Sequence, residues 1–212
     1  MTKIYLLSPP QIEIKKFSQE LKLALATGLV PAFQLRLKGY ENTKITEIAK
    51  ELKKICHDFN CLFLLNDSYK IALDVGADGV HLGAEDGSIA VARKESQKNF
   101  LIGASCYDSK HLAMESGGQG ADYLSFGTFF PSKTKNSRGK PTTEILNWCA
   151  ELINLPIVAI GGITDENCDD LVKAGTDFLA VISYIWDHSK GVASALKSLD
   201  SAIQKSLPTS QF

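Results

Sequence analysis

The stretch CLFLLNDSYKIALDVGADGVHLGAED, residues 61–86, shows how the whole chain is organised. It contains two short apolar runs, 62–65 and 79–82, and the segment between them has the apolar spacing of a helix. A strand, a crossover helix and a second strand form a parallel unit, in which both strands end at the same edge of the sheet. Asp67 and Asp86, which follow the two runs, should therefore lie at one edge. Parallel folds place their chemistry at that edge.

The alternation of an apolar run with a helical pattern repeats along the chain. Predicted strands begin near residues 4, 32, 62, 79, 101, 123, 157 and 178, and no Ser/Gly-rich linker separates them. Strict alternation predicts a parallel sheet. Eight units favour a single-domain (β/α)8 TIM barrel, with an open doubly wound sheet as the alternative. We expect the barrel to span residues 1–206 and residues 207–212 to form a frayed C-terminal tail.

Composition narrows the class of function. The 212 residues are 44% hydrophobic with a formal net charge of -1, so the chain lacks the basic field that draws proteins to nucleic acid or anionic membranes. The five cysteines form no CxxC pair, which favours a reduced, cytoplasmic setting over a zinc site. No run approaches the roughly 18 apolar residues of a membrane span. We therefore expect small-molecule partners and leave open a homo-oligomer.

Three polar side chains alternate with apolar ones at the end of the second predicted strand. In the sequence QLRLK this alternation places Gln34, Arg36 and Lys38 on one side of the strand. In a barrel that side can be the mouth of the interior, so we favour a pocket that binds an anion. A basic strand end facing solvent is the alternative.

Carboxylates follow the third and fourth predicted strands. Asn66 and Asp67 end the third strand, and Asp86 lies shortly after the fourth. Magnesium is usually held by one or two carboxylates together with substrate phosphates. Asp67 and Asp86 therefore predict a Mg2+ site, although Asp86 could instead only cap the helix that follows it.

The segment after the sixth predicted strand, residues 127–141, is unusually long. It contains hydroxyl and cationic side chains that suit a polyphosphate, namely Ser132, Lys133, Thr134, Lys135, Arg138 and Lys140. A flexible basic surface loop is the alternative. Ser105 follows the fifth predicted strand.

The last two predicted strands suggest a second anion site. Gly161 and Gly162 follow the seventh strand and precede a helix predicted to open at Thr164-Asp165 and to span residues 165–173, while Ile182 and Ser183 follow the eighth strand. Glycines let backbone N–H groups approach an anion, and a helix N-terminus adds its dipole. The loops after strands 7 and 8 are the usual phosphate site of a TIM barrel.

His81 lies inside the fourth predicted strand, in the sequence GVHLG. It could point into the barrel or pack as a hydrogen-bonded core residue, and we favour the core. The residues together predict two anion sites, a phosphate cup at strands 7 and 8 and a magnesium-and-cation site at strands 2 to 4. Two phosphorylated ligands, or one long one, are implied.

The chain resembles the thiamine phosphate synthase family, which also includes the thiazole tautomerases. The resemblance rests on these motifs: QLRLK (34–38), LLND (64–67), GADGVHLGAED (76–86), IGAS (102–105), FGTFFPSKTK (126–135), VAIGGIT (158–164) and AVIS (180–183). It implies a TIM barrel that couples 4-amino-5-hydroxymethyl-2-methylpyrimidine diphosphate to 4-methyl-5-(2-phosphoethyl)thiazole and releases pyrophosphate. The mechanism that it implies is dissociative and assisted by Mg2+.

The resemblance also assigns roles to individual residues. The implied contacts of the pyrimidine diphosphate are Gln34, Arg36, Lys38, Asn66, Lys135 and, near the pyrimidine, Ser105. Those of the thiazole phosphate are Ser132, Thr134, Gly162, Ile182 and Ser183. Asp67 and Asp86 would hold Mg2+, and Arg36, Lys38 and Lys135 would stabilise the departing pyrophosphate. No protein nucleophile or general base is required.

Three positions depart from the family pattern. Ser68 stands where the family usually has arginine, Tyr107 where it often has histidine, and Ser132 where it more commonly has threonine. The tautomerase alternative depends on acid-base work by that histidine, and a tyrosine hydroxyl, with an ordinary pKa of about 10, is a poor substitute near neutral pH. A relative that binds the thiazole phosphate without turnover is the other alternative, and only Ser68 supports it.

Overall fold

The computed structural model describes residues 1–131 and 139–207, and its central element is a closed barrel of eight parallel strands. Each strand pairs with its neighbours in sequence, and the first strand closes the barrel against the eighth. The strands are β1 (Lys3–Leu7), β2 (Ala32–Leu35), β3 (Leu62–Asn66), β4 (Gly79–Leu82), β5 (Leu101–Tyr107), β6 (Tyr123–Gly127), β7 (Ile157–Ile160) and β8 (Phe178–Val181). The predicted (β/α)8 barrel is confirmed, and the open doubly wound sheet is wrong.

Helices surround the barrel in alternation with the strands. Their bounds are α1 (Ile14–Leu25), α2 (Asn42–Asp58), α3 (Tyr69–Asp74), α4 (Ile89–Glu95), α5 (Lys110–Gly118), α6 (Thr143–Leu152), α7 (Asp169–Lys173), α8 (Ser183–Trp186) and α9 (Val192–Ser206). Serine side chains begin three of them, because Ser68, Ser88 and Ser109 each accept a hydrogen bond from a backbone N–H of the first turn. Among the described residues no helix has the length and apolar character needed to cross a membrane.

Side-chain alternation divides the core into two parts. In β2, Phe33 and Leu35 point outwards and join the large cluster under the helices, whereas Ala32 points inwards. The inner cluster consists of Tyr5, Leu7, Ala32, Leu64, Tyr123, Val158 and Ala180. Gly103 makes room for one of them, since a Cβ atom at that position would lie 2.0 Å from Cζ of Tyr123. The barrel interior is therefore filled with side chains, as is typical of this fold.

The helix predicted over residues 165–173 ends at Lys173 as expected but begins only at Asp169, so its predicted start is wrong. Side chains of the intervening turn take the backbone groups that a helix would use: Thr164 N–H donates to Asn167 Oδ1 at 2.8 Å, and Asn167 Nδ2 donates to the Gly162 carbonyl at 2.9 Å. Local bonds of this kind compete with helix formation. The predicted domain boundary at residue 206 coincides with the end of α9 and stays a prediction, since residues 208–212 lie outside the described part.

The sequence also missed one element, the single-turn helix α8 directly after β8. Its last residue, Trp186, donates from Nε1 to the Leu7 carbonyl at 2.7 Å and packs against Phe17, with ring centroids 4.8 Å apart. These contacts fix the first turn of α8 over the carboxyl end of β8. A short extra helix at this place is the element that TIM barrels use to bind phosphate.

Candidate active site

A cavity of about 370 Å3 opens at the carboxyl end of the barrel. Every one of the eight strands contributes at least one residue to its lining, so the cavity lies on the barrel axis. Seven of the predicted site residues in the described part line it: Gln34, Arg36, Asn66, Ser105, Gly162, Ile182 and Ser183.

Four charged side chains meet where β2, β3 and β4 end, and we call Arg36, Lys38, Asp67 and Asp86 the carboxylate edge. Arg36 lines the cavity, whereas Lys38, Asp67 and Asp86 are outside its lining, and the charges of Asp67 and Asp86 act on Arg36. The Lys38 ammonium donates to Asp67 Oδ2 at 2.5 Å, and the Asn66 amide donates to Asp67 Oδ1. Asp67 itself adopts a left-handed backbone conformation, with φ of 70°, while its N–H donates to the His81 carbonyl at 2.9 Å. Strained backbone of this kind persists where the surrounding contacts hold it, often at functional sites.

Asp86 joins the carboxylate edge from the loop after β4. Its Oδ2 accepts from the Gly83 N–H at 2.9 Å, whereas the cap of α4 is Ser88, so the alternative that Asp86 merely caps this helix is wrong. Partial withdrawal of the carboxyl group from water raises the pKa of Asp86, and its contact with Asp67 raises it further. Two acids that share a site in this way resist ionising together, and a cation between them would relieve the repulsion.

Arg36 is half-buried beside these acids. Burial lowers the pKa of its guanidinium, and the charges of Asp67 and Asp86 oppose that shift. The cation therefore remains charged at the cavity wall. Its backbone N–H donates to Ser8 Oγ at 2.8 Å, which fixes the strand end that carries it.

The carboxylate edge fits a magnesium ion better than a metal held by the protein alone. Among residues 1–131 and 139–207 no group of three or more His, Cys, Asp and Glu side chains is arranged to hold a metal. Two carboxylates at one edge leave most of an octahedral shell to water and phosphate oxygens, which is the usual mode of Mg2+.

A chain of five polar side chains lies at the floor of the cavity, and all of them except Tyr123 line it. Gln34 Nε2 donates to the Tyr5 hydroxyl at 2.7 Å, and the hydroxyls of Tyr5 and Tyr123 are 2.9 Å apart. His81 Nδ1 lies 3.0 Å from the Tyr123 hydroxyl, and its Nε2 lies 2.9 Å from Ser105 Oγ. We call these five residues the polar relay.

The relay corrects the interpretation of His81 as a core residue, since this side chain lines the cavity and contacts a predicted substrate-binding serine. Sequence reasoning did not select Tyr5 or Tyr123. Both lie at inward positions of predicted strands, where a large polar side chain is unusual. That position could have identified them as candidate site residues.

The opposite side of the cavity mouth is formed by backbone, and we call Gly161, Gly162, Ile182 and Ser183 the glycine edge. Both glycines have positive φ, 108° and 63°, and a Cβ atom at Gly162 would lie 2.4 Å from the Pro131 carbonyl oxygen. The segment after β6 thus packs directly on the segment after β7. Because α7 begins later than predicted, the helix N-terminus at this edge is that of α8, at Ser183.

Ser132, Thr134, Lys135 and Arg138 fall on residues 132–138, outside the described part of the chain. Among the departures from the family pattern, Ser68 Oγ accepts from the Ile71 N–H at 3.3 Å and caps α3. Tyr107 lines the cavity at a bulge of β5, with φ of 56°.

The chain is similar to known proteins over most of its length. The family described as thiamine monophosphate synthase matches residues 4–185. A protein of Erythrobacter litoralis named thiamine-phosphate synthase is 43% identical over 196 residues, covering 91% of this chain and 92% of that relative. A protein of Rhodospirillum centenum with the same name is 41% identical over 194 residues, covering 92% and 94%.

A solved structure agrees with these relatives. Thiamine phosphate pyrophosphorylase from Pyrococcus furiosus superposes with a TM-score of 0.82 at 34% identity and covers 97% of each chain. A match over most of the sequence, together with the same barrel, shows common descent rather than a shared fold alone. The chain belongs to the thiamine monophosphate synthase family.

Proposed function

We propose that the protein is a thiamine phosphate synthase, a transferase that joins 4-amino-5-hydroxymethyl-2-methylpyrimidine diphosphate to 4-methyl-5-(2-phosphoethyl)thiazole. The observation that carries this proposal is the pairing of two unlike borders on one cavity, the carboxylate edge and the glycine edge, in a chain of this family. One border suits a diphosphate with its metal, and the other suits a single phosphate.

The pyrimidine diphosphate is proposed to lie over the polar relay with its phosphates at the carboxylate edge. Gln34 and Ser105 then face the ring, and Asn66 lies between the ring and the phosphates. Arg36 and Lys38 supply positive charge for the diphosphate, and Lys135 is proposed to add a third cation. Asp67 and Asp86 would hold Mg2+, which when bound neutralises charge that develops on the leaving pyrophosphate.

The thiazole phosphate is proposed to bind at the glycine edge. Gly162, Ile182 and Ser183 line the cavity there, and α8 begins at Ser183. Backbone N–H groups and the first turn of a helix bind phosphate without a cationic side chain. Ser132 and Thr134 are proposed to contribute hydroxyl groups from the neighbouring segment.

This arrangement supports a dissociative reaction. The bond between the pyrimidine methylene carbon and the diphosphate oxygen breaks first, and its electron pair leaves with pyrophosphate. The lone pair of the thiazole nitrogen then forms the new C–N bond with the methylene cation, which gives thiamine phosphate. No proton is transferred, so the protein's work is to position both substrates and to stabilise the leaving group through Arg36 and Lys38.

The direct test is to incubate the purified protein with both substrates, with Mg2+ and with a chelator instead. We expect thiamine phosphate and pyrophosphate in equal amounts with Mg2+ and a large loss of product with the chelator. Failure to form product with Mg2+ present would show that the proposal is wrong. Product formation independent of the metal would remove Asp67 and Asp86 as ligands while leaving the synthase activity in place.

A thiazole tautomerase is the closest competing activity within the family resemblance. Tyr107 occupies the position at which the histidine of that activity is expected, and its side chain faces the same cavity. Because Asp67 and Asp86 meet at the carboxylate edge, the synthase is favoured. Incubation with the tautomerase substrate alone should therefore leave it unchanged.

A further inference from the structure

The hydrogen bonds of the polar relay all donate in one direction, from Gln34 towards Ser105, and we propose that this direction sets the role of Ser105. We infer that the relay holds His81 in the neutral form protonated on Nε2, so that His81 donates to Ser105 Oγ and turns the serine proton towards the bound substrate. Ser105 is then a hydrogen-bond donor to a nitrogen or oxygen acceptor of the pyrimidine. His81, Tyr123 and Tyr5 act as positioning residues. The substrate part of this inference rests on the proposed function.

The direction begins at Gln34, whose donor is a primary amide. Its Nε2 is 2.7 Å from the Tyr5 hydroxyl oxygen, which must accept, since an amide nitrogen has no lone pair to offer. Among the described residues the other hydrogen-bond partner of this hydroxyl is Tyr123. The Tyr5 proton therefore points to the Tyr123 oxygen, 2.9 Å away.

The next two hydrogen bonds of the relay join Tyr123 to His81 and His81 to Ser105. Because the Tyr123 oxygen accepts from Tyr5, its own proton is free to point to His81 Nδ1 at 3.0 Å. An Nδ1 atom that accepts carries no proton, so neutral His81 is protonated on Nε2. That nitrogen lies 2.9 Å from Ser105 Oγ and 3.5 Å from Ser125 Oγ, so Ser105 is the nearer acceptor of the two serines.

The opposite direction would leave one buried proton without a partner. If Tyr123 donated to Tyr5, the Tyr5 oxygen would receive two protons, and no acceptor among the described residues would remain for its own proton. Tyr5 and Tyr123 are 4% and 8% exposed, so water does not offer an easy replacement. Burial also raises the pKa of both phenols, so each keeps its proton. A buried unpaired donor is costly, and this selects the direction from Gln34 to Ser105.

The fold is arranged around this relay. Gly103 lies against the Tyr123 ring, and any side chain there would displace it. The rings of His81 and Tyr123 are stacked with centroids 5.6 Å apart, which limits rotation of the imidazole. Ser105 is thus oriented before any ligand binds. A preorganised donor is worth more to a reaction than one that must first rotate.

The first experiment measures the proton itself, in the ligand-free protein. With histidine labelled with nitrogen-15, long-range proton–nitrogen correlation spectra identify which ring nitrogen of His81 carries hydrogen. We expect Nε2, and we expect the Tyr123→Phe variant to lose the fixed form and populate both. A proton on Nδ1 in the unmodified protein would overturn the inference. Because no substrate is present, this result is independent of the proposed function.

The second experiment separates the two ring nitrogens by substitution. A glutamine amide places a donor near Nε2, and an asparagine amide reaches only the place of Nδ1, so His81→Gln preserves the contact with Ser105 and His81→Asn preserves that with Tyr123. We expect His81→Gln to keep at least about fivefold more kcat, the effect of one neutral hydrogen bond. Equal loss in both variants, at equal thermal stability, would contradict a role through Ser105.

Tyr40→Phe is the matched control for Tyr123→Phe. Tyr40 also uses its hydroxyl in two hydrogen bonds, but both partners are backbone groups of Ile12, which does not belong to the polar relay. We expect Tyr123→Phe to lower kcat about fivefold and Tyr40→Phe to leave it unchanged. If the two variants lose the same activity, Tyr123 has only a structural role. If the unmodified protein forms no product, the proposed function fails, while the proton position remains measurable.

Discussion

The carboxylate edge and the glycine edge border one cavity but are built from different chemistry. At the first, charged side chains from separate strands hold one another, as in the 2.5 Å contact between Lys38 and Asp67. At the second, backbone comes so close to backbone that a Cβ atom at Gly162 has no space. Removal of one charge disrupts a network of ion pairs, whereas closely packed backbone is disrupted when a side-chain atom is added. Variants of the two edges should therefore differ in kind.

The largest effect is expected at the carboxylate edge. Asp67→Asn removes one of two carboxylates and leaves the Lys38 ammonium without its partner. Changes in groups that only support a metal ligand cost about 10- to 100-fold, so loss of a ligand itself should lower kcat by about 100-fold or more. The Mg2+ concentration for half-maximal rate should rise, while the KM for the thiazole phosphate should change little. Steady-state kinetics over a series of Mg2+ concentrations measure all three.

Asp74→Asn is the control for Asp67→Asn, because Asp74 is an exposed carboxylate in α3, the helix that follows the same strand. It should leave both rate and Mg2+ dependence unchanged. Asp86→Asn should behave like Asp67→Asn. Unaltered Mg2+ dependence in both Asp67→Asn and Asp86→Asn would mean that the two acids do not hold the metal.

The second effect tests the glycine edge by adding one methyl group. Gly162→Ala forces a Cβ atom to 2.4 Å from the Pro131 carbonyl at a φ of 63°, so one of the two segments must move. We expect a loss of about 1–3 kcal/mol in unfolding free energy, and a KM for the thiazole phosphate raised about tenfold, roughly the loss of one hydrogen bond to a charged group. Mg2+ dependence should be unchanged. Thermal unfolding and steady-state kinetics measure these quantities.

Gly191→Ala separates the two causes of that loss. Gly191 has a φ of 82°, and a Cβ atom there would meet nothing within 4 Å. This variant should therefore lose only the unfolding free energy that an alanine at positive φ costs, about 1 kcal/mol. A Gly162→Ala protein no less stable than Gly191→Ala, with normal substrate affinity, would show that the close approach of the two segments is unimportant.

The two edges also differ in how far the sequence predicts them. Alternation within QLRLK and the position of Asp67 and Asp86 after strands predict that these side chains meet at one edge, because side-chain direction in a strand has a period of two, and in the structure they do meet. The residues of the glycine edge also lie together at the cavity, but the helix beside them is α8 and not the predicted one. Asn167 forms hydrogen bonds with the backbone of the turn, so α7 begins only at Asp169. A helix of one turn such as α8 is too short to show helical periodicity in the sequence.

Neither strand alternation nor helical periodicity predicts the polar relay. Tyr5 and Tyr123 are 118 positions apart and meet only because the strands close into a barrel. The sequence favours a core position for His81, because a histidine inside a strand is usually buried and hydrogen-bonded. It is 8% exposed, yet it lines the cavity. Periodicity predicts which way a side chain points, but it does not predict which partner on a distant strand will meet it.

A third prediction moves a charge at the carboxylate edge without removing it. A Cβ atom at Gly83 would lie 2.7 Å from Asp86 Oδ2, so Gly83→Ala must displace that carboxylate. The Mg2+ concentration for half-maximal rate should rise about three- to tenfold, less than in Asp86→Asn, because the charge remains nearby. Gly118→Ala is the control, since a Cβ atom there meets nothing within 4 Å and α5 gains a better helix former. Identical Mg2+ curves for Gly83→Ala and the unmodified protein would contradict the requirement for a fixed Asp86.

The smallest effect is expected where this chain departs from its family. Ser68 lies beside the carboxylate edge, and its hydroxyl caps α3 by accepting from the Ile71 N–H. Ser68→Ala should cost about 1 kcal/mol of unfolding free energy, as should Ser109→Ala, which removes the same kind of cap from α5. Turnover should stay within about twofold in both, because the cap acts on helix stability.

Ser68→Arg tests whether the missing family cation matters. Arginine has no acceptor for the Ile71 N–H, so this variant should lose the cap in the same way as Ser68→Ala. If Arg36 and Lys38 already supply the charge that the leaving group needs, turnover should not rise. A faster Ser68→Arg enzyme, measured at saturating Mg2+ against Ser68→Ala, would show that the carboxylate edge lacks a cation and that the stability of α3 was gained at the expense of rate.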